Sequence, residues 1–257
     1  MVNWMAASPL SRPTGYFRKR EKTRGKLLDA AKRVMAGKGV EGTTIAEIAI
    51  AADVAPGTFY NYFTTREEIL EAVAASLVDE FRTVMAAIQR AIDDPAERIA
   101  VAVRLFLERV RDDALWGWFM ARYGPSLPLL RDQTREIIRS QIIGEGLARK
   151  RFRLPSTRAV GDLITGTTVT ALRSILEGRA TIDIAPEIAE LILRGLGVSL
   201  AEAHEIAHRP IPSLRRRDGD EPNPVRDVWG TSHVAPATRV TSRSSTVPRV
   251  HRSGYRS

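Results

Sequence analysis

The chain has 257 residues, 44% of them apolar, no cysteine, and four histidines (His204, His208, His233 and His251) confined to its last quarter. That apolar content supports one large or two small packed domains. The missing cysteine excludes disulfides, thiol catalysis and the usual structural zinc sites, and the body of the chain has no histidine for a Ser-His-Asp triad or a metal. The net charge of +9 is unevenly placed: residues 1–26 carry seven Lys/Arg against one Glu, and residues 210–257 nine Arg against four acids. Two basic flanks around a near-neutral middle fit a protein that meets a polyanion, and equally a globule with two basic tails.

No apolar run approaches the roughly 18 residues of a membrane-spanning helix, and Met1 to Leu10 lack the pattern of a signal peptide, so a cytoplasmic chain with no membrane partner is expected. Residues 1–20, with Pro9, Pro13, Gly15 and the run Arg18-Lys19-Arg20, read as a flexible basic arm. From Glu21 the spacing of Leu27, Leu28, Ala31, Val34 and Met35 predicts a first helix that Gly39 stops. Thr44-Ile-Ala-Glu47 has the spacing of a capping box, so a second helix starts there and ends near Asp53. Pro56 suits a first helical turn, which predicts a short third helix from Pro56 to Phe63. Thr65-Arg-Glu-Glu68 is a second capping box, opening a long fourth helix that reaches the Asp93 region.

Pro95 restarts the pattern in a fifth helix, and a sixth carries Trp116, Trp118, Phe119 and Tyr123 up to Gly124-Pro125. Residues 127–152, 156–178 and 186–197 read as helices seven to nine, and residues 199–208 add a last turn or two. No segment alternates like a strand. The predicted fold class is all-α: a helix-turn-helix unit over 21–66, a helical unit over 67–209, and a disordered basic tail over 210–257.

Three short helices before a long one, with a tight link between the second and third, present one helix to the DNA major groove. The stretch from Thr43 to Phe63, followed by Thr64-Thr-Arg-Glu-Glu-Ile-Leu70, resembles the TetR (tetracycline-repressor) family signature almost position for position, over about residues 20–72. The resemblance implies a homodimeric repressor that binds a double-stranded inverted-repeat operator and answers to a small, apolar effector. The candidate DNA-binding residues are Thr44, Ala55, Pro56, Gly57, Thr58, Tyr60, Asn61, Tyr62 and Arg66. Gly57 allows close approach to the duplex. Thr44, Tyr60 and Tyr62 can bond phosphate oxygens, Thr58 and Asn61 can reach base edges, and Arg66 adds a charged phosphate contact. Phe59 and Phe63 read as core plugs. Where the family commonly has a serine this chain has Ala55, and Pro56 stands where a basic residue is common, so specificity rests on fewer side chains or on the arm at Arg18, Lys19, Arg20 and Arg24.

Phe106 and the face of the sixth helix with Trp116, Phe119, Met120 and Tyr123 are, by resemblance, the wall of a ligand cavity; an aromatic stripe also serves as ordinary core, and both uses stand at this point. Leu163, Thr167, Ala171, Leu172 and Ile175 of the eighth helix, with Ile188, Leu191 and Ile192 of the ninth, resemble the family's four-helix dimer interface, where Gly161 and Gly166 permit close approach. No cofactor is expected. An enzyme finds no support in a phosphate-binding loop, nucleophile elbow or metal cluster. His204 and His208, four apart with Glu202 and Glu205 beside them, read as a solvated helix end. The remaining alternative is an architectural protein that binds any duplex through its basic tails.

Overall fold

The computed structural model of the protein describes residues 15–154, 157–212 and 214, and every regular element among them is helical. The expected basic tail beyond Leu214 and the arm before Gly15 lie outside the described residues. Helix α1 spans Gly15–Lys38 and so begins before Glu21. Arg18, Lys19, Arg20 and Lys22 are good helix formers, and they carry the helix back through what the prolines and Gly15 suggest is an arm. It ends where Gly39 takes φ +89°, a left-handed turn in which its N–H bonds the Met35 carbonyl at 2.9 Å.

Helices α2 (Ile45–Ala51), α3 (Pro56–Tyr60) and α4 (Arg66–Ala91) follow. Helix α3 is shorter than expected: Asn61 caps it, and Tyr62 and Phe63 leave the helix as Phe63 turns into the core. At the start of α4 the capping box is displaced by one residue. Thr65 Oγ1 accepts from Glu68 N at 3.0 Å, but the Glu68 carboxylate accepts from the N–H and hydroxyl of Thr64, at 2.6 and 2.7 Å. Those two bonds hold the Glu68 carboxyl below the usual carboxylate range.

Helix α5 (Pro95–Glu108) runs through a tight turn, Arg109–Arg111, towards α6 (Ala114–Tyr123). The expected helix over 127–152 is one rod in three parts: α7 (Pro128–Ile138), a wide turn at Arg139–Ile143, and α8 (Gly144–Ala148). It stops before 152 because Lys150 turns to φ +55° and Phe152 folds back against Gly146, where a Cβ would lie 2.0 Å from its ring. Helices α9 (Thr157–Leu176), α10 (Ile184–Gly195) and α11 (Leu200–His208) complete the order. Pro186 sits inside the first turn of α10, where the missing N–H costs nothing, so it does not act as the expected break. Ile211 and Leu214 pack on the core, so the start of the expected disordered tail is anchored.

Helix α1 packs on α6, α4 on α7, and α5 on α10. The first three helices are therefore joined to the rest through α4 and α6. No helix among the described residues is long and apolar enough to cross a membrane.

Candidate nucleic-acid interface and internal cavity

Between α2 and α3 the chain turns on Asp53, which adopts φ 55°, a left-handed conformation that a short polar side chain tolerates. Thr44 caps α2: its Oγ1 accepts from Glu47 N at 3.3 Å, and the Glu47 carboxylate accepts from Thr44 N at 3.1 Å. Lys38 bonds the same carboxylate and, with the Thr44 N–H, holds its pKa low. Burial of Phe59 and Phe63 pins α3, and Ile48 and Ala49 anchor α2. The opposite side of α3 is left outward, with Ala55, Pro56, Gly57, Asn61 and Tyr60 exposed, Tyr60 to 57%, and Thr58 and Tyr62 half-buried. A Cβ at Gly57 would meet nothing within 4 Å.

Basic charge adjoins this surface. Six Lys/Arg stand against one Glu between Gly15 and Lys26, and the Arg20 and Arg24 guanidinium groups lie 6.0 and 5.5 Å from the Tyr62 and Phe63 ring centroids. Arg66, the expected charged phosphate contact, is about one-third exposed and also bonded within the chain. Its guanidinium donates to the carbonyls of Glu41 at 3.0 Å and Val40 at 3.4 Å, and to Glu67 at 3.1 Å. Through these bonds Arg66 ties the start of α4 to the loop between α1 and α2.

A cavity of about 660 Å³ opens between α4, α5, α6, α7 and α9. Its walls are apolar, with Phe81, Met85, Val103, Phe106, Met120 and Ile142, and polar groups are set among them at Arg122, Arg135, Asp162 and Thr165. The Thr165 hydroxyl is buried with no hydrogen-bond partner among the described residues, a group that loses stability unless something bonds it. Of the five expected cavity residues, Phe106 and Met120 line this space. Trp116 lines a neighbouring void of only about 50 Å³, with its ring 4.9 Å from that of Phe106.

Phe119 and Tyr123 are corrections. Neither lines the cavity: Phe119 is wholly buried with its ring 5.5 Å from that of Tyr123, and the Tyr123 hydroxyl accepts from Val40 N, just after α1, at 3.0 Å. On the same helix, Arg122 lines the cavity and donates to the Ala36 carbonyl at 3.3 Å. Deeper in, Arg109 lies 4.1 Å over the Trp116 ring and donates to Glu80 on α4 at 2.9 Å, and Lys32 on α1 donates to the same carboxylate at 3.3 Å. Burial lowers the Arg109 pKa, and Glu80 opposes that shift. This cluster escapes a reading of the sequence because its members, Lys32, Glu80, Arg109 and Trp116, lie on four separate helical segments.

The residues expected at a subunit interface divide into two groups. Leu163 and Leu191 are exposed, to 37% and 54%, and Thr167, Ile175 and Ile188 are half-buried. Ala171, Leu172 and Ile192 are corrections: Leu172 and Ile192 are 0% exposed and Ala171 is 5% exposed, so all three fill the core of the single chain. Nothing meets a Cβ at Gly166 within 4 Å, and Gly161 makes only an ordinary contact, so neither brings helices together within the chain. The close approach is at Gly195 of α10, where a Cβ would come within 2.7 Å of Leu163.

Residues 27–73 match the family model for bacterial regulatory proteins of the tetR family, and residues 94–209 match that of the tetracyclin repressor-like C-terminal domain. The chain is 34% identical over 100 residues to the HTH-type transcriptional regulator TcmR of Streptomyces glaucescens, across 39% of this chain and 44% of TcmR. To the regulator BetI of Rhizobium meliloti (strain 1021) it is 35% identical over 79 residues, across 31% of this chain and 39% of BetI. It thus spans less than half the length of these curated relatives. The structure is similar to that of RolR in complex with resorcinol, with a TM-score of 0.59, 35% identity, and coverage of 77% of this chain and 100% of that one.

Proposed function

The chain belongs to the TetR family of transcriptional regulators, and from that premise we propose that it is a homodimeric repressor released from an inverted-repeat operator by a small, mostly apolar effector. One observation carries the release step: Arg122 lines the cavity and also holds the C-terminal end of α1. An effector that displaces α6 therefore acts on the helix that supports α2 and α3. The Arg109–Glu80–Lys32 bridge offers a second connection to α1, from the small void beside Trp116 that shares Phe106 and Met120 with the cavity. Since a two-fold dimer needs its recognition helices about 34–36 Å apart, a small change of tilt removes the fit.

A volume of about 660 Å³ suits a drug-sized molecule. The buried Thr165 hydroxyl favours an effector with at least one polar group, in keeping with the resorcinol bound to RolR. Thr165→Val should weaken effector binding by about fivefold, the worth of one hydrogen bond, and leave DNA affinity without effector unchanged. The coupling is reciprocal, so operator DNA should weaken effector binding by the factor by which the effector weakens DNA binding, typically about 5–150-fold. A compound that binds the cavity tightly and leaves the operator complex intact would sink this reading.

Selection of bound duplexes from a random pool tests the DNA side. One inverted repeat should emerge, whereas an architectural protein would return no preferred sequence. Tyr60→Phe should weaken binding to every duplex with base preference and salt slope unchanged, because its neutral hydroxyl is assigned to phosphate and releases no counterion. Thr58→Ala should relax base preference. A Tyr60→Phe protein with altered preference and intact general affinity contradicts the assignment.

A further inference from the structure

We propose that His204 and His208 on α11, supported by Glu190 on α10, form a binding site for one divalent transition-metal ion of the Zn²⁺ or Ni²⁺ type. The stretch His204-Glu205-Ile206-Ala207-His208 has the H-E-x-x-H spacing, which sets two imidazoles on one face of a helix. The fold adds what the spacing alone lacks, a carboxylate from another helix. Ligand atoms of Glu190, His204 and His208 all lie within 4.8 Å of one another.

The hydrogen bonds prepare both rings. His208 Nδ1 is 2.9 Å from the His204 carbonyl, which can only accept, so Nδ1 carries a proton and Nε2 is the nitrogen left to face a metal. His204 Nδ1 is 2.9 Å from Glu190 Oε2, and the same reasoning leaves its Nε2 as a donor to metal. Imidazoles that give their other N–H to a carboxylate or a backbone carbonyl are the usual support for a metal ligand, since the bond fixes tautomer and ring orientation. The ring centroids are 4.2 Å apart. Metal–nitrogen bonds of about 2.0–2.1 Å at a tetrahedral angle place two nitrogens roughly 3.3 Å apart, so the two rings are near enough to share one ion.

Imidazole ligands suit borderline ions and not Mg²⁺ or Ca²⁺, and the absence of sulfur disfavours Cu⁺. Glu205, which in a hydrolytic H-E-x-x-H site acts as general base, is exposed and bonded by Arg209 at 2.6 Å. Neither cavity described above reaches the site. The geometry therefore assigns metal binding and not hydrolysis, with the remaining positions filled by water. Bound metal would clip α11 to α10 beside Leu191.

The test uses the untagged full chain, stripped with a chelator and titrated with Co²⁺ by its visible absorption, then with Zn²⁺ in competition. One equivalent should bind. His204→Ala and His208→Ala should each weaken Zn²⁺ binding by at least about tenfold. Glu190→Ala should weaken it by about 10–100-fold and alter the Co²⁺ spectrum, with partial recovery in Glu190→Gln, which keeps an acceptor for His204. Helix content by circular dichroism should be the same in all four variants, and Glu205→Gln and a His233→Ala/His251→Ala double variant should bind as the parent does. The proposal is overturned if no Co²⁺ spectrum develops at millimolar metal, or if binding survives loss of His204 and His208 and disappears with His233 and His251.

Discussion

Glu80→Gln should lower the unfolding free energy by about 3 kcal/mol, read as a shift of the urea midpoint, because it removes a carboxylate shared by two largely buried cations. The Arg109, Lys32 and Glu80 side chains are 6%, 16% and 18% exposed, so water screens the cluster little. Without the charge, the Arg109 guanidinium keeps the face of Trp116 and the more distant pull of Asp113 but loses the ion pair to Glu80, and Lys32 keeps Asp29 at 3.2 Å. Against a typical total of about 5–15 kcal/mol the loss is large. Glu80→Leu combined with Arg109→Leu should recover much of it, since replacing a whole buried pair by apolar groups is often nearly neutral. A change below about 1 kcal/mol for Glu80→Gln would mean that the pair behaves as a surface ion pair and that the route from Trp116 to α1 carries no energy.

Leu191→Arg should convert the proposed dimer to monomers by light scattering, leave the helix content unaltered, and lower operator affinity by more than about a hundredfold, as one half-site loses the effective concentration of the other. Leu191 is 54% exposed on α10 beside Gly195, and Leu163 of α9, itself 37% exposed, packs against that glycine. The two leucines thus make an apolar strip that a second copy can cover. Leu172→Arg should behave otherwise: at 0% exposure a charge there has no route to water, and the chain itself should unfold. Should Leu191→Arg remain a dimer with unchanged affinity, the interface lies on another face.

The outward residues of α3 could be read from the sequence because they are set by neighbours in the chain. A capping box is a contact between residues three apart, a proline fixes the first turn of its own helix, and Phe59 and Phe63 are large apolar residues close to that turn with little choice but the core. The same local order placed the helices of the C-terminal half to within a few residues. Helix α7 is the instructive case, since its apolar spacing continues past Ala148 while Lys150 and the fold-back of Phe152 onto Gly146 end the rod.

Only the tertiary structure decided matters in which partners lie far apart in sequence. The carbonyls that occupy Arg66 are 25 and 26 residues away, Tyr123 and Val40 are 83 apart, and Glu80 sits 48 and 29 residues from its two cations. Periodicity shows that α9 and α10 are apolar on more than one face, yet it cannot tell which face meets the chain's own core. Leu172 and Ile192 were therefore grouped with Leu163 and Leu191 until packing separated them. The histidines of α11 show both sides: their spacing is written in the sequence, but the carboxylate of Glu190 reaches His204 only because α10 and α11 fold against each other. Local spacing fixes what a helix offers, and long-range packing fixes what meets it.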